Sequence, residues 1–397
     1  MASTQVSDAR EGEAVRSPDH PSPAALQPTE RYPGLDSLRA YAACSIIAFH
    51  MVHAAKASLP GPLAFLGSYL GFGVPLFFVV SAFSMSVGYH GRMRSGGDCR
   101  RFYLRRLARI APLFYGVLLY QLFYLYFRYG MTRSWTEIAA SLTFTFNFAP
   151  SLVDGIVPAS WSVGVEMVFY AVFPMLILLG EGAIGSLMVL MVSLLMCALH
   201  YTDLTKAANL NPSYIYHGFV TCLPFFASGL LFHRFHASMA SAARSGPGWL
   251  RPLLGLGLLG VGCYLFRYLV DYSPLYAFFW NKGLRAIWDT LWCIPFGMFC
   301  VGLALHPFVL VANPVARYLG KISFSLYLLH PSIVFALGEG GVYAKVYAYF
   351  AGNLWGAFSV CFLLTVGLVS LLSSVSYRFI EEPGMRLGRW ACSRLTD

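Results

Sequence analysis

The chain has 397 residues, 57% hydrophobic and only 12% charged, about half the roughly 25% charged share of a soluble globular domain. That balance excludes an ordinary soluble enzyme and predicts an all-α polytopic membrane protein, with room for about ten spans of roughly 20 residues. The net charge of +10 is read as basic flanks of membrane helices, so no nucleic-acid partner is expected.

Residues 1–30 are polar and rich in Pro, Ser, Asp and Glu, with no apolar core of a cleaved signal. They are predicted to form a disordered cytoplasmic tail. Apolar segments then fall near 36–54, 69–88, 107–127, 161–180, 183–201, 216–234, 252–270, 286–309, 322–337 and 354–376. Together they define a ten-helix membrane domain over 31–380, followed by a basic cytoplasmic tail over 381–397. With the N-terminus inside, the inner loops and tails hold about 20 Lys and Arg and the outer loops about 7, the bias that places both termini in the cytoplasm.

The first segment, "GLDSLRAYAACSIIAFHMVH", is apolar enough for lipid yet carries Asp36, Arg39, His50 and His53. At about 100° per residue, Arg39 and His50 differ by only about 20° around a helix, and Asp36 lies about 40° to the other side. The three share one stripe, with His50 about 16 Å along the axis from Arg39. An ionisable group at mid-membrane costs roughly 2.5–3.5 kcal/mol, so this stripe is expected to face the bundle interior or a cavity.

The densest basic cluster, "GRMRSGGDCRRFYLRRLARI", lies between the second and third segments. Arg92, Arg94, Arg100 and Arg101 read as membrane-flank anchors, whereas Arg106 and Arg109, three apart, share a helix face. The stretch 128–160 is the one connection long enough for a small cap or re-entrant element. "WSVGVEMVFYAVFP" places a second buried acid, Glu166, one turn inside the fourth segment.

"GLGLLG" at Gly255–Gly260 matches a dinucleotide fingerprint but lies inside an apolar run, where close helix packing is expected instead. Asp289 is four residues from Arg285, the spacing of a helical ion pair. His330 precedes Pro331 and reads as the cap of a kink, and His217, His233 and His236 lack ligand spacing. The nine cysteines form no CxxC or zinc pattern and read as small buried hydrophobes. No metal is expected, and no protease or serine-hydrolase motif is present.

In order, "GLDSLRAYAACSIIAFH", "GFGVPLFFVVSAFSM", "FYLRRLARIAPLF", "PASWSVGVEMVFYAVFP", "GKISFSLYLLHP" and "SYRFIEEP" resemble the acyltransferase 3 family of integral membrane proteins, from about Arg31 to Arg389. The resemblance implies a ten-helix domain that moves an acyl group, often acetyl, from cytoplasmic acyl-CoA to a hydroxyl. The implied acceptors are glycans, glycolipids or glycosylated small molecules. The family's Arg-x10-His pattern falls on Arg39 and His50, its RxxR element on Arg106 and Arg109, and its Trp-Ser-x-x-x-Glu acid on Glu166. Two departures stand in the second segment: Pro75 where a polar residue is common, and Ala82 in "SAF" where "SGF" is common. Some relatives carry an extra hydrolase-like domain. The chain's end at Asp397 leaves none after the membrane part, which points to a small or lipid-linked acceptor.

Ester formation needs a base, a holder for the anionic donor and stabilisation of an oxyanion. His50 is the expected base, since imidazole titrates near about 6.5. Glu166 or Asp36 would orient it, and Arg39, Arg106 and Arg109 would hold donor phosphates through their forked donors. Direct transfer is preferred to an acyl-histidine relay. The competing reading is a transporter or exporter with a His/Glu proton relay, disfavoured because no inverted repeat is evident. The expected location is the cytoplasmic membrane of a bacterium. Acceptor identity, acyl length and oligomeric state are not encoded in any of these motifs.

Overall fold

A computed structural model describes residues 32–55, 59, 61–206, 211–271, 273–282 and 284–395. The tail expected over 1–30 lies outside them. Among the described residues there is no strand. The principal helices are α1 (Pro33–Ala55), α2 (Gly73–Tyr89), α3 (Gly96–Tyr129), α4 (Trp135–Thr143), α5 (Trp161–Leu179), α6 (Gly182–Lys206) and α7 (Phe219–Ala242). They continue as α8 (Leu250–Asp271), α9 (Arg285–Leu291), α10 (Cys293–Leu305), α11 (Pro314–Lys321), α12 (Ser323–Glu339), α13 (Leu354–Ser376) and α14 (Glu382–Arg394).

Among the described residues nine helical stretches are long and apolar enough to cross a membrane, and α11 with α12, meeting at 77°, would make a tenth. The outward faces agree. Ile184, Met188, Met191, Leu195 and Leu199 form an exposed stripe along α6, at the spacing of one helix face. A water-soluble bundle would bury such a stripe; lipid tails cover it at no cost. The chain is an all-α polytopic membrane protein.

α1 is the hub. It packs against α2, α10, α11, α12 and α13, so both ends of its polar stripe are enclosed by other helices. Small residues permit this closeness. Gly320 of α11 lies so near the main chain of Asp36 that an added Cβ would overlap its carbonyl. The expected close packing of "GLGLLG" is present where α8 meets α10: a Cβ on Gly255 would come 2.9 Å from the Gly302 oxygen, and the converse holds.

α3 starts at a capping box, in which Ser95 and Asp98 each bond the other's main-chain N–H. This sets the register that turns Arg106 and Arg109 inward. The 128–160 connection holds α4 and a single 3-10 turn, Phe146–Phe148. The ninth apolar segment bends at Ile322, between α11 and α12, and α12 runs through Pro331. Beyond α13, a π-helical turn over Tyr377–Glu381 leads into α14, which packs on α3. The wide turn buries Glu381, whose carboxylate accepts a short hydrogen bond from the Ser325 hydroxyl.

Candidate active site

A cavity of about 180 Å³ opens between α1, α2, α3, α5 and α12. Arg39 enters it from α1, Arg106 and Arg109 from α3, and Glu166 from α5. Ser162, Glu166 and Tyr170 also line it; they lie four residues apart, so α5 presents one polar stripe to it. The Glu166 carboxylate accepts a hydrogen bond from the Ser81 hydroxyl at 2.9 Å and a short one from Tyr170. Ser162 donates to the Tyr327 hydroxyl at 2.7 Å, which donates to the Ala159 carbonyl at 2.8 Å.

The cavity's charge is unbalanced. Three guanidinium groups line it with one carboxylate, and Arg39 is additionally paired with Asp36 at 3.2 Å. The Arg106 guanidinium sits among the rings of Tyr89, Phe102 and Tyr170, 5.6–5.7 Å from their centroids. Its Nε is buried with no hydrogen-bond partner among the described residues. Buried donors normally find acceptors, so an anion with several oxygens fits this end of the cavity.

His50 is not in the cavity wall. It sits further along α1, half-buried, with its ring 5.1 Å from that of His330 and 5.3 Å from that of Phe49. His330 is fully buried, and its ring is 5.6 Å from that of Tyr327, which does line the cavity. The geometry of His330 follows from its neighbour. Pro331 has no N–H, so the carbonyl four residues back, that of Tyr327, loses its helical partner. His330 Nδ1 takes that carbonyl at 2.5 Å. A carbonyl only accepts, so Nδ1 carries the proton and Nε2 is left as an acceptor. Nε2 is buried with no hydrogen-bond partner, beside His50.

Of the six expected site residues, four line one cavity: Arg39, Arg106, Arg109 and Glu166. Asp36 is bonded to Arg39. Neither Asp36 nor Glu166 forms a hydrogen bond with His50 among those of the described residues. Tyr170, Tyr327 and Ser81 are additions that sequence reasoning passed over. Tyr170 was signalled by its position four after Glu166 on an apolar helix; Tyr327 and Ser81 carried no signal of their own. His330 does cap the gap left by a proline, as expected, and thereby also meets His50. Among the described residues no three His, Cys, Asp or Glu side chains converge as metal ligands.

Residues 32–374 match the family profile described as an acyltransferase domain. The chain belongs to the acyltransferase 3 family. Among relatives of this acyltransferase are O-acetyltransferase OatA of Staphylococcus aureus, 24% identical over 390 residues, and peptidoglycan O-acetyltransferase OatA of Listeria monocytogenes, 21% identical over 392. Each alignment covers 90% of this chain and 57% of the relative. The acyltransferase chain thus spans little more than half the length of these curated relatives. No solved structure matches it.

Proposed function

We propose that the chain is a membrane O-acyltransferase that moves an acetyl group from acetyl-CoA to a hydroxyl of a glycan. The observation that carries this reading is the meeting of Arg39, Arg106 and Arg109 in one cavity that adjoins Tyr327, His330 and then His50. The arginine end suits the donor's phosphates, because guanidinium forks match phosphate oxygens and the Arg106 Nε has no internal acceptor. The arm between phosphate and thioester would then follow α1, about 16 Å from Arg39 to His50.

His50 takes the proton of the acceptor hydroxyl as its oxygen attacks the thioester carbonyl. A C–O bond forms, the tetrahedral oxyanion collapses, the C–S bond breaks, and the thiolate leaves with the proton returned from the imidazolium. His330 is a positioning residue: its neutral ring presents an acceptor edge to His50 and favours the protonated form of His50 during attack. Glu166 holds Tyr170 and Ser81 in place and offsets part of the arginine charge.

Orientation follows from the basic flanks. Both termini and the arginine end face the cytoplasm, where acyl-CoA is available, and the His50 end lies towards the opposite face of a bacterial cytoplasmic membrane. The peptidoglycan named for the Listeria relative favours a glycan polymer over the small acceptor that chain length alone suggested.

The test is transfer of label from radioactive acetyl-CoA to a panel of glycan, glycolipid and small glycoside acceptors by the protein in lipid nanodiscs. Wild type should label an acceptor, and His50→Ala should reduce the rate by about 10²–10⁴. Equal labelling by both removes His50 from its role. Passage of an unmodified solute across vesicles without any acetylation favours a transporter instead.

A further inference from the structure

A second cavity, of about 230 Å³, lies beyond Phe78, a side chain it shares with the first. A single water needs only about 10–15 Å³ on the same measure, so this space suits an organic ligand. Phe49 lines it and is the residue next to His50, whose ring it meets edge-on. His50 therefore sits between the two cavities, touching Phe49 of one and, through His330 and Tyr327, the wall of the other.

Its lining differs from the first in kind. Trp161 presents a flat ring held parallel to that of His217, with centroids 4.0 Å apart and planes inclined by 11°. His217 is in turn fixed by Asp154, 2.8 Å from its Nδ1. Polar groups stand alongside these rings. Thr221 is 8% exposed, and its hydroxyl is buried with no hydrogen-bond partner among the described residues. Arg285 Nε is likewise buried and unbonded. Its carboxylate neighbour, Asp289, is 3.8 Å away, too far for a hydrogen bond. The charge of this cavity is balanced, one guanidinium to one carboxylate, whereas three arginines face one carboxylate in the first. A polyanion fits the first; a neutral molecule with an apolar face and several hydroxyls fits the second.

We propose that this second cavity is the acceptor subsite and takes one pyranose ring of a glycan, its C–H face against Trp161 and its hydroxyls on Thr221, Arg285 and Asp289. Rings and hydroxyls interleaved in this way give a sugar both its apolar and its polar contacts. The subsite places an acceptor hydroxyl on the Phe49 side of His50, opposite the donor. This assignment rests on the acyl-transfer reading for its role, but not for its binding chemistry.

The test uses the full chain in nanodiscs and two separate titrations, one with chitotetraose, a soluble N-acetylglucosamine tetramer, and one with coenzyme A. Wild type should bind both at once. Thr221→Val and Asp289→Asn should each weaken chitotetraose about tenfold and leave coenzyme A affinity unchanged. Unchanged saccharide affinity in both variants, no binding to wild type, or displacement of the saccharide by coenzyme A overturns the assignment. If Asp289→Asn misfolds, as loss of both affinities would reveal, Thr221→Val decides alone. Saccharide binding that responds to these variants, with no acetyl transfer by wild type, would leave the subsite standing and the acyl-transfer reading failed.

Discussion

The rings of His50 and His330 lie 5.1 Å apart, with their planes inclined by 41°. Two elements of the bundle core, α1 and α12, thus bring two imidazoles together although 280 residues separate them in the chain. The Tyr327 carbonyl fixes the proton of His330 on Nδ1. Its free Nε2 edge is therefore an acceptor that a protonated His50 can use and a neutral one needs less.

Replacing His330 should accordingly slow the chemical step and spare donor capture. In His330→Ala, kcat for acetyl transfer should fall about 10- to 100-fold with the KM for acetyl-CoA little changed, since only an interaction made during proton transfer is lost. The pH–rate profile should shift as well, which a purely structural loss would not produce. A variant whose kcat and profile match wild type would show the ring pair to be incidental.

Arg106 is held among three aromatic rings with an unbonded Nε, so its contribution should be specific to the guanidinium. Arg106→Lys keeps the charge but loses the planar fork. It should weaken coenzyme A binding about 10- to 100-fold, the loss of one or two charge-assisted hydrogen bonds, while Arg100→Ala, on the exposed side of α3, should not. Calorimetric titration of both variants checks this. Equal affinities would mean that Arg106 is held for packing alone.

Gly320 makes a stability prediction. A methyl at this position would overlap the Asp36 main chain, forcing α11 away from α1. Gly320→Ala should destabilise the fold by about 1–3 kcal/mol and, because α1 carries both Arg39 and His50, lower activity with it. Thermal unfolding in detergent measures the first effect. A melting temperature equal to wild type would show that α11 can move aside without cost.

The sequence made some of this legible and hid the rest for physical reasons. Helical period alone placed Arg39 and His50 on one stripe, and that stripe is enclosed because α1 is the hub of the bundle. Arg106 with Arg109, and Glu166 with its stripe on α5, were likewise readable because i, i+3 and i, i+4 spacing is a local property. What could not be read is the meeting of separate helices. Nothing local shows that His330 faces His50, that Tyr327 joins the arginine cavity, or that Thr221 and Asp289 share a space with Phe49. The bend at Ile322 was hidden for a related reason: Pro331 draws attention to itself, while the break occurs at an aliphatic residue where α11 turns to lie against α1.

The missing amide of Pro331 has one further consequence. Substituting alanine there would hand the Tyr327 oxygen back to the backbone ladder and set the neighbouring imidazole free to choose its tautomer. The acid–base character of the centre is thus written by a residue that can neither gain nor lose a proton, and mutational surveys confined to ionisable side chains would miss it.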